Sequence, residues 1–61
     1  MPIIRVEMFE GRTDEQKRAL AEELTEAFLR SAGGNRDSVQ VILTDVSKEN
    51  WATGGTLFSD K

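Results

Sequence analysis

The sequence predicts an α+β fold, a β-α-β unit with two parallel strands completed by a short C-terminal β-hairpin. Three observations predict it. Ile4, Val6 and Met8 alternate with Arg5 and Glu7, the period-two pattern of a strand buried on one face. Leu20, Leu24, Ala27 and Phe28 recur at helical spacing and form one apolar stripe. Val39-Gln40-Val41-Ile42-Leu43 is short and rich in β-branched residues, which favours a second strand over a second helix. Strand, helix and strand in close succession make a crossover unit, whose strands run parallel with right-handed connectivity.

Each element carries its own signals. The first strand covers Ile3 to Phe9, and Gly11 punctuates its end. Thr13-Asp14-Glu15-Gln16 is a capping box with acids in the first turn, where the helix dipole favours them. Lys17, Arg18, Glu22, Glu23 and Glu26 fall mostly off the apolar stripe. Gly33 and Gly34 stop the helix in the manner of a left-handed cap. The second strand starts at Val39 and continues through Thr44, Asp45 and Val46; Ser47 to Asn50 then reads as a polar turn. The Gly54-Gly55 pair lies between the short β-capable segments Trp51-Ala52-Thr53 and Thr56-Leu57-Phe58, the pattern of a small hairpin. Repeats and low-complexity tracts are absent.

Length allows one domain, residues 1–61, and a small one. A chain of this size buries only about 60% of its unfolded surface, so small domains lean on disulfides, a metal or association. With neither Cys nor His in the chain, disulfides are impossible and a zinc site is not expected. Association remains. Two strands covered by one helix also leave one sheet face open, and sister subunits are expected to cover it. The balance of 8 basic and 11 acidic residues gives a net charge of −3, with a pI near 4.8. That argues against nucleic acid, whose binders concentrate basic charge, and against a polybasic membrane anchor. No apolar run approaches a spanning helix and no signal-peptide core is visible, so a cytoplasmic location is expected. At 38% hydrophobic and 31% charged residues the chain is not disordered by composition.

The usual catalytic groups are scarce. Nucleophilic triads need His or Cys, and Gly54-Gly55 lacks the Lys-Ser/Thr of a phosphate loop. Most acids, Glu7, Glu10, Asp14, Glu15, Glu22, Glu23 and Glu26 among them, fit a solvated surface. Pro2 follows the initiator Met directly. Removal of Met1, expected beside a small residue, would leave a free secondary amine. An α-amino group titrates near 7.7–8.0 in model compounds, and partial burial or a nearby Arg lowers it further. That suits a general base at neutral pH. On these two residues alone the plainer reading is favoured: Pro2 begins an edge strand, where its missing N–H costs nothing.

Pro2-Ile3-Ile4, the run Glu10-Gly11-Arg12-Thr13-Asp14-Glu15-Gln16-Lys17, and Trp51 ahead of Gly54-Gly55 together resemble the 4-oxalocrotonate tautomerase family. The resemblance spans essentially the whole chain in length, element order and motif spacing. It implies an amino-terminal proline base on a β-α-β fold, no cofactor, and a hexamer built as a trimer of dimers. It further implies an isomerase interconverting the enol and keto forms of a 2-hydroxydienoate or related 2-oxo acid, as in aromatic catabolism. By this resemblance Pro2 is the base. Arg12 grips a substrate carboxylate from a neighbouring subunit. Trp51 stands where the family commonly has Phe in the apolar wall, and Phe9 matches an apolar position near the site. From the residues alone, Arg12 also fits a solvated loop arginine, and Trp51 an interface anchor.

Gln40 departs from the family pattern. The better-known tautomerases have a second arginine there, which polarises the substrate carbonyl. Gln offers neutral hydrogen bonds and no charge, and such stabilisation is often worth about 3–4 kcal/mol in the barrier. Arg36, four residues earlier, lies about 13 Å away if that segment is extended, and Arg5 has the opposite strand parity to Pro2. Two alternatives to a self-sufficient tautomerase therefore stand. One is a subunit of a hetero-oligomer, as in 3-haloacrylate dehalogenases of this superfamily. The other is a non-catalytic assembly subunit. Dehalogenation needs a water-activating residue, and no spacing commits Glu10, Asp45 or Glu49 to that role.

Overall fold

The computed structural model describes all 61 residues, Met1 to Lys61. Strand β1 (Ile3–Phe9) leads into helix α1 (Asp14–Ala32), then strand β2 (Gln40–Val46), and the short strands β3 (Ala52–Thr53) and β4 (Thr56–Leu57). Single 3-10 turns occupy Arg36–Ser38, Lys48–Asn50 and Phe58–Asp60. The α+β reading holds, with β1 and β2 parallel and β3 and β4 antiparallel.

The capping box forms as its sequence requires. The Thr13 hydroxyl accepts from the Gln16 N–H at 3.1 Å, and the Gln16 side chain accepts from the Thr13 N–H at 2.9 Å. Two of the donors that a helix start leaves unpaired are thereby satisfied. At the other end the Gly33 N–H donates to Leu29 O. Gly33 has the positive φ expected, 74°, but its ψ of −167° is extended rather than left-handed helical. The chain leaves the helix directly into the loop that feeds β2. Strand β2 starts at Gln40, one residue after Val39, because the Val39 N–H is taken by Arg36 O in closing the 3-10 turn. Gly54 and Gly55 both have positive φ, 61° and 84°, as a two-residue hairpin turn matching strand twist needs.

Strand register sorts the side chains. Ile4, Val6 and Met8 pair with Val41, Leu43 and Asp45. Asp45 receives the Lys17 ammonium of α1 at 2.5 Å, so this parity faces the helix. Ile3, Arg5 and Glu7 pair with Gln40, Ile42 and Thr44 on the opposite, uncovered face. Ile3 is 50% exposed there and Ile42 38%.

A second polar tie fastens the loop to the helix. Arg36 donates to Glu22 at 2.6 Å and also to Glu26. Hydrogen bonding to Glu26, and then to Glu22, holds the Arg36 guanidinium above its ordinary pKa.

No residue of the single chain is buried. Its radius of gyration is 14.5 Å, against about 10.5 Å expected for a globule of this length. The 43 × 24 × 15 Å extents describe an elongated slab whose apolar side chains are all partly open to solvent.

Lys17 supplies a test of the helix-to-sheet tie. Its hydrogen bond to Asp45 raises its pKa above the ordinary 10.5. A raised folded-state value means that the contribution is fully present below pH 10.5 and fades as pH rises through the raised value. The melting-temperature gap between wild type and Lys17→Met, followed from pH 7 upward, is therefore expected to stay constant until about pH 10.5 and then close.

Candidate active site

At one end of the sheet, Pro2 precedes β1 and its carbonyl accepts from the Gln40 N–H at 2.9 Å. This bond pins Pro2, which is half-buried, to the first residue of β2. Gln40 itself pairs with Ile3, so its side chain stands with Ile3 and Arg5 on the uncovered face. Arg36 is not a substitute cation for this end, because two carboxylates of α1 already hold it.

At the other end, Phe9, Trp51 and Phe58 form an aromatic cluster. Ring centroids are 4.6 Å apart for Phe9 and Trp51, 5.0 Å for Phe9 and Phe58, and 6.4 Å for Trp51 and Phe58. The tilted and edge-on geometries suit the ring quadrupoles, each pair contributing about 0.5–1.5 kcal/mol beyond area burial. The hairpin builds this cluster: Thr53 pairs with Thr56 and Ala52 with Leu57, and the Phe58 N–H donates to Trp51 O at 2.8 Å. Arg12 leaves the end of β1 and turns back, its Nη1 donating to Phe9 O at 2.9 Å. Lys48 lies over the Phe9 ring, 5.8 Å from its centroid. On the uncovered face a concavity of about 430 Å³ opens against Trp51, lined also by Glu7, Val46, Asn50 and Ala52.

The structure thus brings Phe9, Arg12 and Trp51 together and leaves Pro2 apart from them. Pro2 and Phe9 are separated by the length of β1, about 23 Å at strand rise. Phe58 belongs with the aromatic group although its sequence neighbourhood drew no attention to it. The hairpin register held the signal, since extending Ala52↔Leu57 by one pair brings Trp51 opposite Phe58. Of the acids considered for activating water, Asp45 is engaged by Lys17. A further concavity of about 470 Å³, lined by Arg18, Glu22, Thr25, Arg36 and Asp37 among others, lies between α1 and the first 3-10 turn and contains none of the site residues. The described residues include no cluster of His, Cys, Asp and Glu able to hold a metal, and no helix is long and apolar enough to cross a membrane.

A family model described as tautomerase enzyme matches residues 2–61. The chain belongs to the 4-oxalocrotonate tautomerase family. A probable tautomerase of Bacillus cereus is 44% identical over 61 residues, covering all of both chains. The 2-hydroxymuconate tautomerase of Bacillus subtilis is 42% identical over 60 residues, covering 98% of this chain and 97% of its own. Among solved structures, YwhB, a homologue of 4-oxalocrotonate tautomerase, superposes with a TM-score of 0.95 at 40% identity, covering 98% of each chain. A structure from work on the 4-oxalocrotonate tautomerase isozymes of Methylibium petroleiphilum gives 0.89 at 41% identity, covering 97% of this chain and 95% of that one. By reaction class this family member is a tautomerase, and so an isomerase.

The separation of Arg36 from the site residues yields a direct check. Arg36→Gln is expected to lower the melting temperature, because the loop loses its tie to Glu22 and Glu26. The kcat/KM for an enol substrate is expected to change less than about twofold; a large loss in kcat at unchanged stability would put Arg36 in the site.

Proposed function

We propose that the protein interconverts the enol and keto forms of a 2-hydroxydienoate or related 2-oxo acid, with Pro2 as general base, in a site shared between two copies of the chain. The observation that carries this reading is the distance between Pro2 and the Phe9–Arg12–Trp51 group. One chain cannot unite them, but a two-fold pair can. Two-fold pairing of sheet edges runs the strands antiparallel, and because β1 and β2 are parallel, either edge sets the Pro2 end of one chain beside the aromatic end of its partner. Paired edges leave the face of Ile3 and Ile42 open, and a trimer of such dimers covers it. The absence of a single buried residue supports an assembly of that kind.

Each residue then has a role its chemistry suits. The Pro2 amine, freed by removal of Met1, takes the proton of the enol hydroxyl and returns it to carbon. Aromatic walls at Trp51, Phe9 and Phe58 exclude water and favour the neutral amine. Arg12, already oriented by its bond to Phe9 O, keeps further donors for a carboxylate. Gln40 gives neutral donors from the uncovered face, where a neighbouring copy can receive them. This predicts weaker stabilisation of the developing enolate than a cation would give. The neutral Gln40 also favours a second reading, a hetero-oligomer in which an unlike chain supplies the charge. Native mass separates the two, since a homohexamer shows one subunit mass.

The test joins intact mass to turnover. Protein one methionine short of the full chain is expected to convert 2-hydroxymuconate or phenylenolpyruvate, followed in the ultraviolet. Protein retaining Met1, whose Pro2 nitrogen is an amide, is expected to lose at least about a hundredfold in kcat. Equal activity of the two forms, or full activity of Pro2→Ala, overturns the proline-base mechanism.

A further inference from the structure

Eight cationic side chains serve this acidic chain, and their engagement differs. Lys17 and Arg36 are held by carboxylates. Arg12 and Lys48 form no ion pair, and both converge on one residue: Arg12 bonds the Phe9 carbonyl at 2.9 Å, while Lys48 stands over the Phe9 ring at 5.8 Å. Lys48 opens the 3-10 turn Lys48–Asn50, whose next residue is Trp51, so the turn that sets the aromatic wall also sets this ammonium. The distance over the ring is near the outer limit of a cation–π contact, which leaves the ammonium free to take a better partner. Lys61 differs, lying closer over Phe58 at 4.3 Å, on a ring that Lys48 does not address.

From this convergence we propose that Lys48 is a second anion-binding residue of the site, acting beside Arg12 on a carboxylate of a conjugated acid laid against Phe9 and Trp51. Arg12 supplies a planar fork fixed by its backbone bond, and Lys48 a compact charge on a flexible stem. Together they bring two cations to the aromatic end of a chain of net charge −3, beside a concavity whose lining also includes Glu7, while Gln40 itself carries no charge. Substrate charge is therefore held at the aromatic end. This rests on the tautomerase reading for the identity of the bound acid, but binding can be measured without turnover.

The single tryptophan, Trp51, is the reporter. Its fluorescence is followed while cis,cis-muconate, a conjugated dicarboxylate with no enol to convert, is added to the assembled protein lacking Met1. Wild type is expected to show saturable quenching. Lys48→Met is expected to weaken binding roughly tenfold, the scale of one charge-assisted hydrogen bond, with Lys48→Arg restoring most of it. Arg30→Met, which makes the same change in net charge in the last turn of α1, is expected to stay within about twofold, as a screened charge outside the aromatic group would. The gap between wild type and Lys48→Met is expected to shrink near 1 M salt, where the Debye length falls to about 3 Å. No saturable quenching in wild type, unchanged affinity in Lys48→Met, or equal loss in Arg30→Met overturns the proposal. Turnover of an enol substrate is scored separately. Lys48-dependent binding without turnover defeats the enzymatic reading alone, and turnover with Lys48-independent binding defeats this inference alone.

Discussion

The parallel ladder between β1 and β2, running from Ile3↔Gln40 to Phe9↔Val46, decides where every other group in this chain can stand. Because the two strands run the same way, the connection between them must cross over the sheet, and α1 does so on one face only. The opposite face is left to Ile3, Arg5, Glu7, Gln40, Ile42 and Thr44. The ladder also acts as a spacer. It holds Pro2 at one end by the bond from the Gln40 N–H and delivers Phe9 and Arg12 at the other. A shift of register by one residue would exchange the helix-facing and open faces and carry Asp45 away from Lys17. Fold, open face and the separation of Pro2 from Phe9 and Arg12 are consequences of one pairing.

The aromatic end shows how a small chain builds a wall with few residues. Gly54 and Gly55 allow the turn, the turn brings Phe58 across from Trp51, and both rings close on Phe9. Residues from the end of β1, the third connection and the C-terminal hairpin meet in one place, and Arg12 and Lys48 are positioned against the same ring. The polar ties do a different kind of work. Lys17 with Asp45 fastens the helix to the sheet, and Arg36 with Glu22 and Glu26 fastens the loop to the helix.

Much of the fold was legible because its signals are local. Alternation from Ile4 to Met8 identified the helix-facing parity, Thr13 and Gln16 marked the helix start, and Gly54-Gly55 marked the hairpin. The start of β2 was misplaced by one residue because Val39 looks like strand while its N–H is spent on Arg36 O. The cap at Gly33 needed an extended ψ that only the route of the following loop determines. Long-range pairings escaped entirely: nothing near Asp45 in sequence announces Lys17, and nothing near Arg36 announces Glu22 and Glu26. For the site, resemblance brought Pro2, Phe9, Arg12, Gln40 and Trp51 into view. Their division between two ends of the sheet, and the presence of Phe58 and Lys48 at one of them, required the structure.

Complementation tests the shared site most directly. One chain has its Pro2 nitrogen blocked by a retained Met1; the other lacks Met1 and carries Arg12→Ala. Each is to be assayed alone, then after co-refolding in equal amounts. If Pro2 of one copy works with Arg12 of another, each mixed pair regains one intact site, and the mixture is expected to recover about a quarter of wild-type activity from two inactive parents. If the mixture stays as inactive as its components while native mass shows mixed assemblies, Pro2 and Arg12 do not act across chains, and the shared site is contradicted.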